Sequence, residues 1–277
     1  MKLFVTNLFL ILWLPLFVFS QESSQGITGE VRYHQMPGSD SISDRTVIVW
    51  LPPGYTDSSY RAYPVLYMQD GQNLVDPKTS SFGYDWHFDE VADSLIRASL
   101  IEPFILVGIY NSPQRTAEYM TSLVPYYTSW MTGLLKSFID SVYHTSSGRE
   151  STFTGGSSAG GAIAFELLWE HNDVFSKAIC MSPAFIDYPN QGLVNLAHRV
   201  KADTNEKRFM MAYFDMGGHG VDSLLKPGLD LMVLNLEESG YHQQTDFFVV
   251  FDPLATHSER DWHARLPEAL ILLFGKR

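Results

Sequence analysis

The sequence predicts one α/β domain, built on a mostly parallel sheet with helices on both faces. Short runs of apolar and β-branched residues alternate along the chain with segments in which apolar residues recur at helical spacing. Runs that are apolar throughout are typical of strands buried on both faces, as in parallel sheets. No internal repeat and no linker rich in proline, glycine or charge divides the 277 residues, so we expect a single domain.

The strand predictions rest on short apolar runs that end at turn residues. Thr46–Leu51 is a β-branched run that Pro52-Pro53-Gly54 stops. Phe104–Ile109 and Phe247–Phe251 consist of apolar residues with at most one glycine. The other predicted strands are Pro64–Met68, Ser151–Thr154, Lys177–Met181 and Phe209–Phe214.

The helix predictions rest on apolar residues that recur at intervals of three and four. In Ala159–Trp169, for example, Ile163 and Leu167 lie four positions apart. Gly240 follows the segment Leu229–Leu236, as glycine commonly ends helices. The other predicted helices are Trp86–Leu100, Tyr126–Tyr143 and Glu259–Phe274.

The first twenty residues have the pattern of a signal peptide that export removes. Lys2 supplies the positive charge at its start, an apolar stretch follows, and Val18–Ser20 provides a cleavage site. The stretch is short for a membrane span and Pro15 interrupts it, which disfavours the alternative of a retained membrane anchor. We expect a signal peptide at Met1–Ser20, a mature domain at residues 21–277, a periplasmic or secreted location, and no stable membrane insertion after cleavage.

Charge and cysteine content exclude several classes of function. Nineteen basic residues against 31 acidic ones give a net charge of −12 at pH 7, which argues against nucleic acid or an anionic membrane as the main partner. Cys180 is the only cysteine, so the chain has no intrachain disulfide and no cysteine-rich zinc or iron–sulfur site.

A glycine-rich turn carries the strongest chemical signal. The run Gly156-Ser157-Ser158-Ala159-Gly160 fits the pattern G-x-S-x-G, centred on Ser158. With a strand predicted before it and a helix after it, the motif has the setting of a nucleophile elbow, a strained turn that exposes a serine. The amide of Ala159 would then face developing negative charge at the helix start. The alternatives are a plain glycine-rich turn or a phosphate-binding loop, and the second lacks its lysine.

A serine nucleophile needs a neighbouring base that takes its proton. Nine histidines are available, and in this arrangement the base follows the last strand and precedes the last helix. His257 alone has that place, because Ser258 with Asp261 three residues later indicates a helix start. His263 falls inside the predicted helix, where we expect a packed or solvated side chain.

The carboxylate that would orient this base is expected after the strand ending at Phe214. Asp215 ends the strand directly and could instead cap a turn, whereas Asp222 falls in a predicted loop that three glycines can fold back. Periodicity leaves both candidates open. His219 stands between them, but no pair of histidines has metal-site spacing with a third ligand, so we expect neither a metal nor a cofactor.

Three segments together carry a resemblance to a known family. They are MQDGQNL at Met68–Leu74, GGSSAGG at Gly155–Gly161, and His257-Ser258-Glu259 followed by Trp262 and Arg265. The chain resembles the putative esterase family of α/β-hydrolases, which includes feruloyl, acetylxylan and siderophore esterases, S-formylglutathione hydrolase and mycolyltransferases. Gly108–Asn111, Arg115, Glu118 and Tyr119 also look like a segment of that family. The resemblance runs from about Val47 to Phe274 and implies an α/β-hydrolase fold.

The resemblance implies a role for each candidate residue. It implies Ser158 as the nucleophile and His257 as the base, with an oxyanion hole formed by the backbone of Ala159 and of Gln72. The turn that carries the acid departs from most relatives. It is similar to a subgroup with Gly-x-Gly-Leu-Glu before a Pro-Gly helix start, which gives the acid role to Asp222 with the shorter Asp in place of Glu.

The combined expectation is a serine carboxylic-ester hydrolase that acts through an acyl-enzyme intermediate and a Ser-His-Asp triad. Its partner would be a small-molecule or polymer-linked ester. The alternatives are an acyltransferase with the same triad, or a catalytically silent binding protein, which the intact Ser158 and His257 disfavour. Aromatic residues, 14% of the chain, could line an aryl pocket or belong to the core. The candidate wall residues are Trp86, His87, Tyr119, Tyr126, Tyr127 and Trp130.

Overall fold

The structure is a computed structural model that describes residues 19–20, 26–39, 41–58, 60–185 and 196–276. Strands and helices alternate from the fourth strand onward, as predicted. The strands are β1 (Phe19–Ser20), β2 (Glu30–Met36), β3 (Arg45–Leu51), β4 (Val65–Gln69), β5 (Ile105–Ile109), β6 (Thr152–Ser157), β7 (Lys177–Met181), β8 (Met211–Gly217) and β9 (Phe247–Asp252). The helices are α1 (Phe88–Arg97), α2 (Arg115–Met120), α3 (Val124–Trp130), α4 (Lys136–Val142), α5 (Ala159–Glu170), α6 (Leu196–Ala202), α7 (Val221–Glu238) and α8 (Glu259–Phe274).

The described strands form one sheet in the order β1-β2-β3-β5-β4-β6-β7-β8-β9. The strands from β4 to β9 run parallel to one another, while β1, β2 and β3 pair antiparallel. Every residue of β4, β5 and β6 is buried, as expected for the central strands of a parallel sheet. Because the strands are parallel, their carboxyl ends share one edge of the sheet, and ligand sites form at such edges.

Helices cover both faces of this sheet, as predicted. One apolar cluster joins the sheet to α3, α5 and α7 through residues such as Tyr127, Phe165 and Met232. A second cluster on the opposite face joins it to α1 and α8 through Phe88 and Leu270. Each of these five side chains is fully buried, so both layers hold the sheet by apolar burial.

The seventh helix differs from its prediction. It was expected over Leu229–Leu236, but α7 begins at Val221 and contains Pro227 in its interior. Gly220, at φ 62°, turns the chain directly into the helix. The loop predicted for Asp222 is therefore wrong, because Asp222 lies in the first helical turn. The apolar spacing in fact continues upstream from Leu229 to Leu225, and both side chains are buried.

The predicted signal peptide, Met1–Ser20, lies outside the described residues except for Phe19–Ser20. These two residues pair antiparallel with Arg32 and Tyr33 of β2. Across the part of the chain that the structure describes, no helix has both the length and the apolar character needed to cross a membrane.

Candidate active site

Ser158 lies in a sharp turn between β6 and α5. Its backbone has φ 57° and ψ −124°, a conformation that non-glycine residues rarely adopt, and its amide donates to the Met181 carbonyl at 2.9 Å. A Cβ on Gly156 would lie 2.6 Å from the Gly160 backbone, and one on Gly160 would lie 2.9 Å from Asp70 Oδ2. The glycines on either side are therefore required by close packing, and the predicted strand–turn–helix setting is present.

His257 lies between β9 and α8, the place predicted for it. Ser258 begins α8 as a cap, because its side chain accepts a hydrogen bond from the Asp261 amide. The His257 Nδ1 atom is 2.5 Å from Asp222 Oδ1, and the Trp262 ring meets the imidazole edge-on at 4.9 Å between centroids. His263 lies inside α8, where its Nδ1 atom is 2.9 Å from the Trp86 carbonyl.

Asp222 is completely buried and fully hydrogen-bonded at the start of α7. Besides the contact with His257, its Oδ2 atom accepts from the Ser182 hydroxyl at 2.9 Å and from the Gly217 amide at 2.7 Å. Burial alone would raise the pKa of Asp222, but the hydrogen bonds from His257, Ser182 and Gly217 outweigh it and lower that pKa. The carboxylate is therefore ionised and aimed at the imidazole.

Asp215, the other candidate acid, pairs with Arg265 rather than with His257. It forms a buried ion pair with Arg265, with 2.9 Å between Nε and Oδ2, and it accepts from the Ser182 amide at 2.9 Å. Burial lowers the pKa of Arg265, but the Asp215 carboxylate more than compensates, so that pKa is raised. The structure thus brings Asp222, and not Asp215, to His257.

Sequence reasoning missed Ser182, which connects the two carboxylates. It follows β7 and has φ 43°. Its hydroxyl donates to Asp222 and accepts from Trp262 Nε1 at 3.0 Å. Its amide binds Asp215. No local pattern marks it, because a serine after a strand is a common turn residue.

The turn after β4 lies beside the serine. Asp70 has φ 56° and forms two 2.7 Å hydrogen bonds with Arg115 and a third with the Asn111 side chain. Gln72 lies in the following 3₁₀ turn, where it is buried and its Oε1 atom accepts from the Asn111 amide at 3.2 Å. Ala159 is the first residue of α5, so its amide is one of the unpaired donors of a helix start.

Comparison with protein families matches residues 40–273 of the chain to the family described as Putative esterase. The chain belongs to this family. The match covers most of the 277 residues and agrees with the resemblance seen in the sequence. The protein is therefore a carboxylic ester hydrolase, although no curated protein matches its sequence significantly.

Solved structures share the fold of this esterase. A ferulic acid esterase superposes with a TM-score of 0.72 and 19% identity, over 90% of this chain and 98% of that chain. The enterobactin esterase FES from Shigella flexneri gives 0.70 and 17%, over 90% and 60%. An IroE-like serine hydrolase from Shewanella oneidensis gives 0.70 and 20%, over 88% and 80%. These likenesses confirm the predicted α/β-hydrolase fold, and the chain spans about 60% of the length of the enterobactin esterase.

The esterase has a cavity of about 460 Å³ that both Ser158 and His257 line. Phe82, Arg115 and Trp262 also line it, so its wall is partly apolar and partly charged. None of the six candidate wall residues lines this cavity. Trp86, Tyr119, Tyr127 and Trp130 are instead at most 3% exposed and belong to the core. That outcome follows from their apolar rings, which gain more from packing than from solvent.

Proposed function

We propose that this esterase hydrolyses carboxylic esters through an acyl-enzyme intermediate on Ser158. His257 acts as the base and Asp222 as the acid that orients it. The observation that carries the proposal is the 2.5 Å contact between His257 Nδ1 and Asp222 Oδ1, with His257 and Ser158 lining the same cavity. Because Nδ1–H bonds to the carboxylate, the Nε2 atom is left free to accept a proton.

The reaction then proceeds in two half-reactions. The Ser158 hydroxyl oxygen attacks the ester carbonyl carbon while its proton passes to His257 Nε2. His257 returns that proton to the leaving alcohol, which leaves the acyl group on Ser158. Water, deprotonated by the same imidazole, then releases the acid and regenerates the serine. Asp222 keeps the imidazole in the required tautomer and stabilises its cationic form.

We assign the oxyanion hole to the backbone amides of Ala159 and Gln72. The helix start at Ala159 and the 3₁₀ turn at Gln72 both follow carboxyl ends of neighbouring parallel strands. The three bonds that fix Asp70 two residues earlier hold the second turn in place. Each such donor contributes ~3 kcal/mol of transition-state stabilisation in comparable sites.

The substrate class follows from the cavity and the relatives. Proteins of this fold include a ferulic acid esterase and an enterobactin esterase. The cavity here is lined by an aromatic side chain, Phe82, and by Arg115, whose guanidinium pairs with Asp70. We propose a small-molecule or polymer-linked ester as the substrate of an exported enzyme, without a cofactor in the reaction.

A panel of p-nitrophenyl esters of rising chain length, with methyl ferulate and acetylated xylan, tests this proposal. Ser158→Ala should lose roughly 10³-fold or more of kcat on every ester that the wild type cleaves, because attack and proton transfer act as a unit. Ser157→Ala, one position earlier in the same cavity wall, is the matched control and should stay within tenfold. Equal losses in both variants, or none in Ser158→Ala, would reject the mechanism.

A further inference from the structure

A second polar cluster lies at the start of α1, outside the cavity that holds Ser158. Asp85, His87 and Glu90 place their ligand atoms within 4.8 Å of one another. The His87 Nδ1 atom is 3.8 Å from Asp85 Oδ1 and 3.7 Å from Glu90 Oε1. The cluster thus offers one imidazole nitrogen between two carboxylate oxygens.

Asp85 is the buried member of this cluster, because its side chain is only 2% exposed, whereas those of His87 and Glu90 are 37% and 39% exposed. Its Oδ2 atom accepts from the His87 amide at 3.0 Å. Its Oδ1 atom, which faces the His87 ring, has no hydrogen-bond partner in the described part of the chain. A buried carboxylate oxygen without a hydrogen-bond partner destabilises the folded state. The environment of Asp85 Oδ1 is therefore that of a cation ligand.

The charge around this cluster points the same way. Asp89, on the first turn of α1, adds a third carboxylate, which accepts a hydrogen bond from the Thr28 amide. Within the described residues no lysine or arginine forms an ion pair with Asp85, Asp89 or Glu90. Among the described residues these acids thus have no lysine or arginine partner, although buried carboxylates are usually paired with a cation.

We propose that Asp85, His87 and Glu90 bind a divalent zinc ion that stabilises the fold. Two donors on a tetrahedral zinc ion, each about 2.1 Å from the metal, lie about 3.4 Å apart. The 3.7 and 3.8 Å separations from the His87 nitrogen need little contraction, and all three ligand atoms lie within 4.8 Å of one another. An imidazole donor selects zinc over magnesium or calcium, which prefer oxygen alone. The His87 side chain is 37% exposed, so the fourth position opens to water.

The ion would fasten the segment that carries Trp86. The Trp86 ring packs against Trp262 at 5.5 Å between centroids, and Trp262 in turn contacts His257. A cation at this place therefore supports the wall behind the imidazole without touching the reacting atoms. The role is structural and independent of the mechanism assigned to Ser158.

Zinc titration of the purified esterase, stripped with EDTA and exchanged into chelator-free buffer, tests the proposal. Calorimetry should show one equivalent of Zn²⁺ bound, and zinc at a hundredfold excess over Kd should raise Tm by roughly 5 °C or more. Calcium and magnesium should not replace it. Asp85→Asn and His87→Asn should abolish both effects, and asparagine at position 87 tolerates the positive φ of that residue.

His242, an exposed histidine far from this cluster in the sequence, provides the matched control. His242→Ala should keep the zinc heat and the Tm rise of the wild type. If Asp85→Asn does not fold, the half-exposed His87→Asn variant still decides the question. Absence of one-to-one binding, an undiminished Tm rise in His87→Asn, or preference for calcium or magnesium over zinc would overturn the assignment.

Discussion

Asp215 and Asp222 are both completely buried, but they have different hydrogen-bond partners and therefore different roles. Asp222 gives one oxygen to His257 and the other to Ser182 and Gly217. Asp215 forms an ion pair with Arg265 and has a structural bond to the Ser182 amide. Ser182 lies between them, so the ion pair fixes the residue that in turn fixes Asp222. The surroundings of each carboxyl group, rather than its residue type, assign the role.

Asp222→Asn should lower kcat by at least ~10²-fold, because the amide cannot hold the imidazole in the same tautomer or stabilise its cation. The fold should survive, since the isosteric side chain keeps its place. Measurement of kcat and Tm on one ester settles both points. Asp215→Asn is the control and should show the reverse, because it leaves the buried Arg265 guanidinium without its partner and costs roughly 3–5 kcal/mol of stability. If Asp215→Asn is inactive and Asp222→Asn is close to wild type in kcat, Asp215 is the acid of the triad and the assignment to Asp222 is wrong.

The pH profile follows from the lowered pKa of Asp222. A carboxyl group with a lowered pKa stays ionised throughout the range in which histidine titrates, so activity should rise with pH in a single step as the imidazole loses its proton. The stabilising contribution of Asp222 is present above about pH 3.9 and is lost as the pH falls through the lowered pKa. Measurement of kcat/KM from pH 4 to 9 shows whether activity rises in one step. His263→Ala should leave the profile unchanged, and a second ionisation between pH 5 and 8 would contradict this account.

At the scale of elements, the elbow depends on close packing of glycines. Gly156→Ala should lower Tm by ~5 °C or more and remove most activity, because its Cβ would lie 2.6 Å from rigid backbone at Gly160. Gly133→Ala is the control, since nothing lies within 4 Å of a Cβ there, and it should be neutral or slightly stabilising. Thermal unfolding of the two variants makes the comparison. Equal Tm values would show that the turn is not as tightly packed as described.

Some elements could be predicted from the sequence to the residue, and others could not. The bounds of β7 and α8 match their predictions, and α8 was found despite its interior Pro267 because Ser258 and Asp261 mark its start. The first two turns of α7 were missed because no such cap precedes them and Pro227 interrupts the pattern. The strand β2 was missed because its burial follows no simple alternation, and the six residues of α2 are too few to show a period.

At the scale of the whole molecule, the site is assembled from distant parts of the chain at one edge of the sheet. Ser158 and His257 could be located from the sequence because each stands at a fixed place relative to a strand and a helix. Ser182 and the contact between Asp215 and Arg265 could not, since each depends on three-dimensional neighbours without a local pattern. The choice between cavity wall and core for the aromatic residues could not be made from the sequence either, because composition does not distinguish rings in a core from rings in a cavity.

Export of the whole molecule remains a prediction from Lys2, the apolar stretch and the cleavage pattern at Val18–Ser20. Protein expressed with its own N-terminus should be found outside the cytoplasm, and N-terminal sequencing should begin near Gln21. An intact Met1 on a membrane-bound product would indicate an anchor instead. The signal peptide of a Lys2→Glu variant should be cleaved more slowly, because the positive charge at its start is part of the export signal.

Covalent labelling of the nucleophile tests the central claim most directly. The esterase is treated with an organophosphate, digested and analysed by mass spectrometry, with loss of activity followed in parallel. We expect one phosphoryl group per chain, on Ser158, at a stoichiometry that matches the lost activity. Ser158→Ala should take no label, and His257→Ala should be labelled much more slowly. Label on Ser157 or elsewhere, or full inactivation without modification of Ser158, would contradict it.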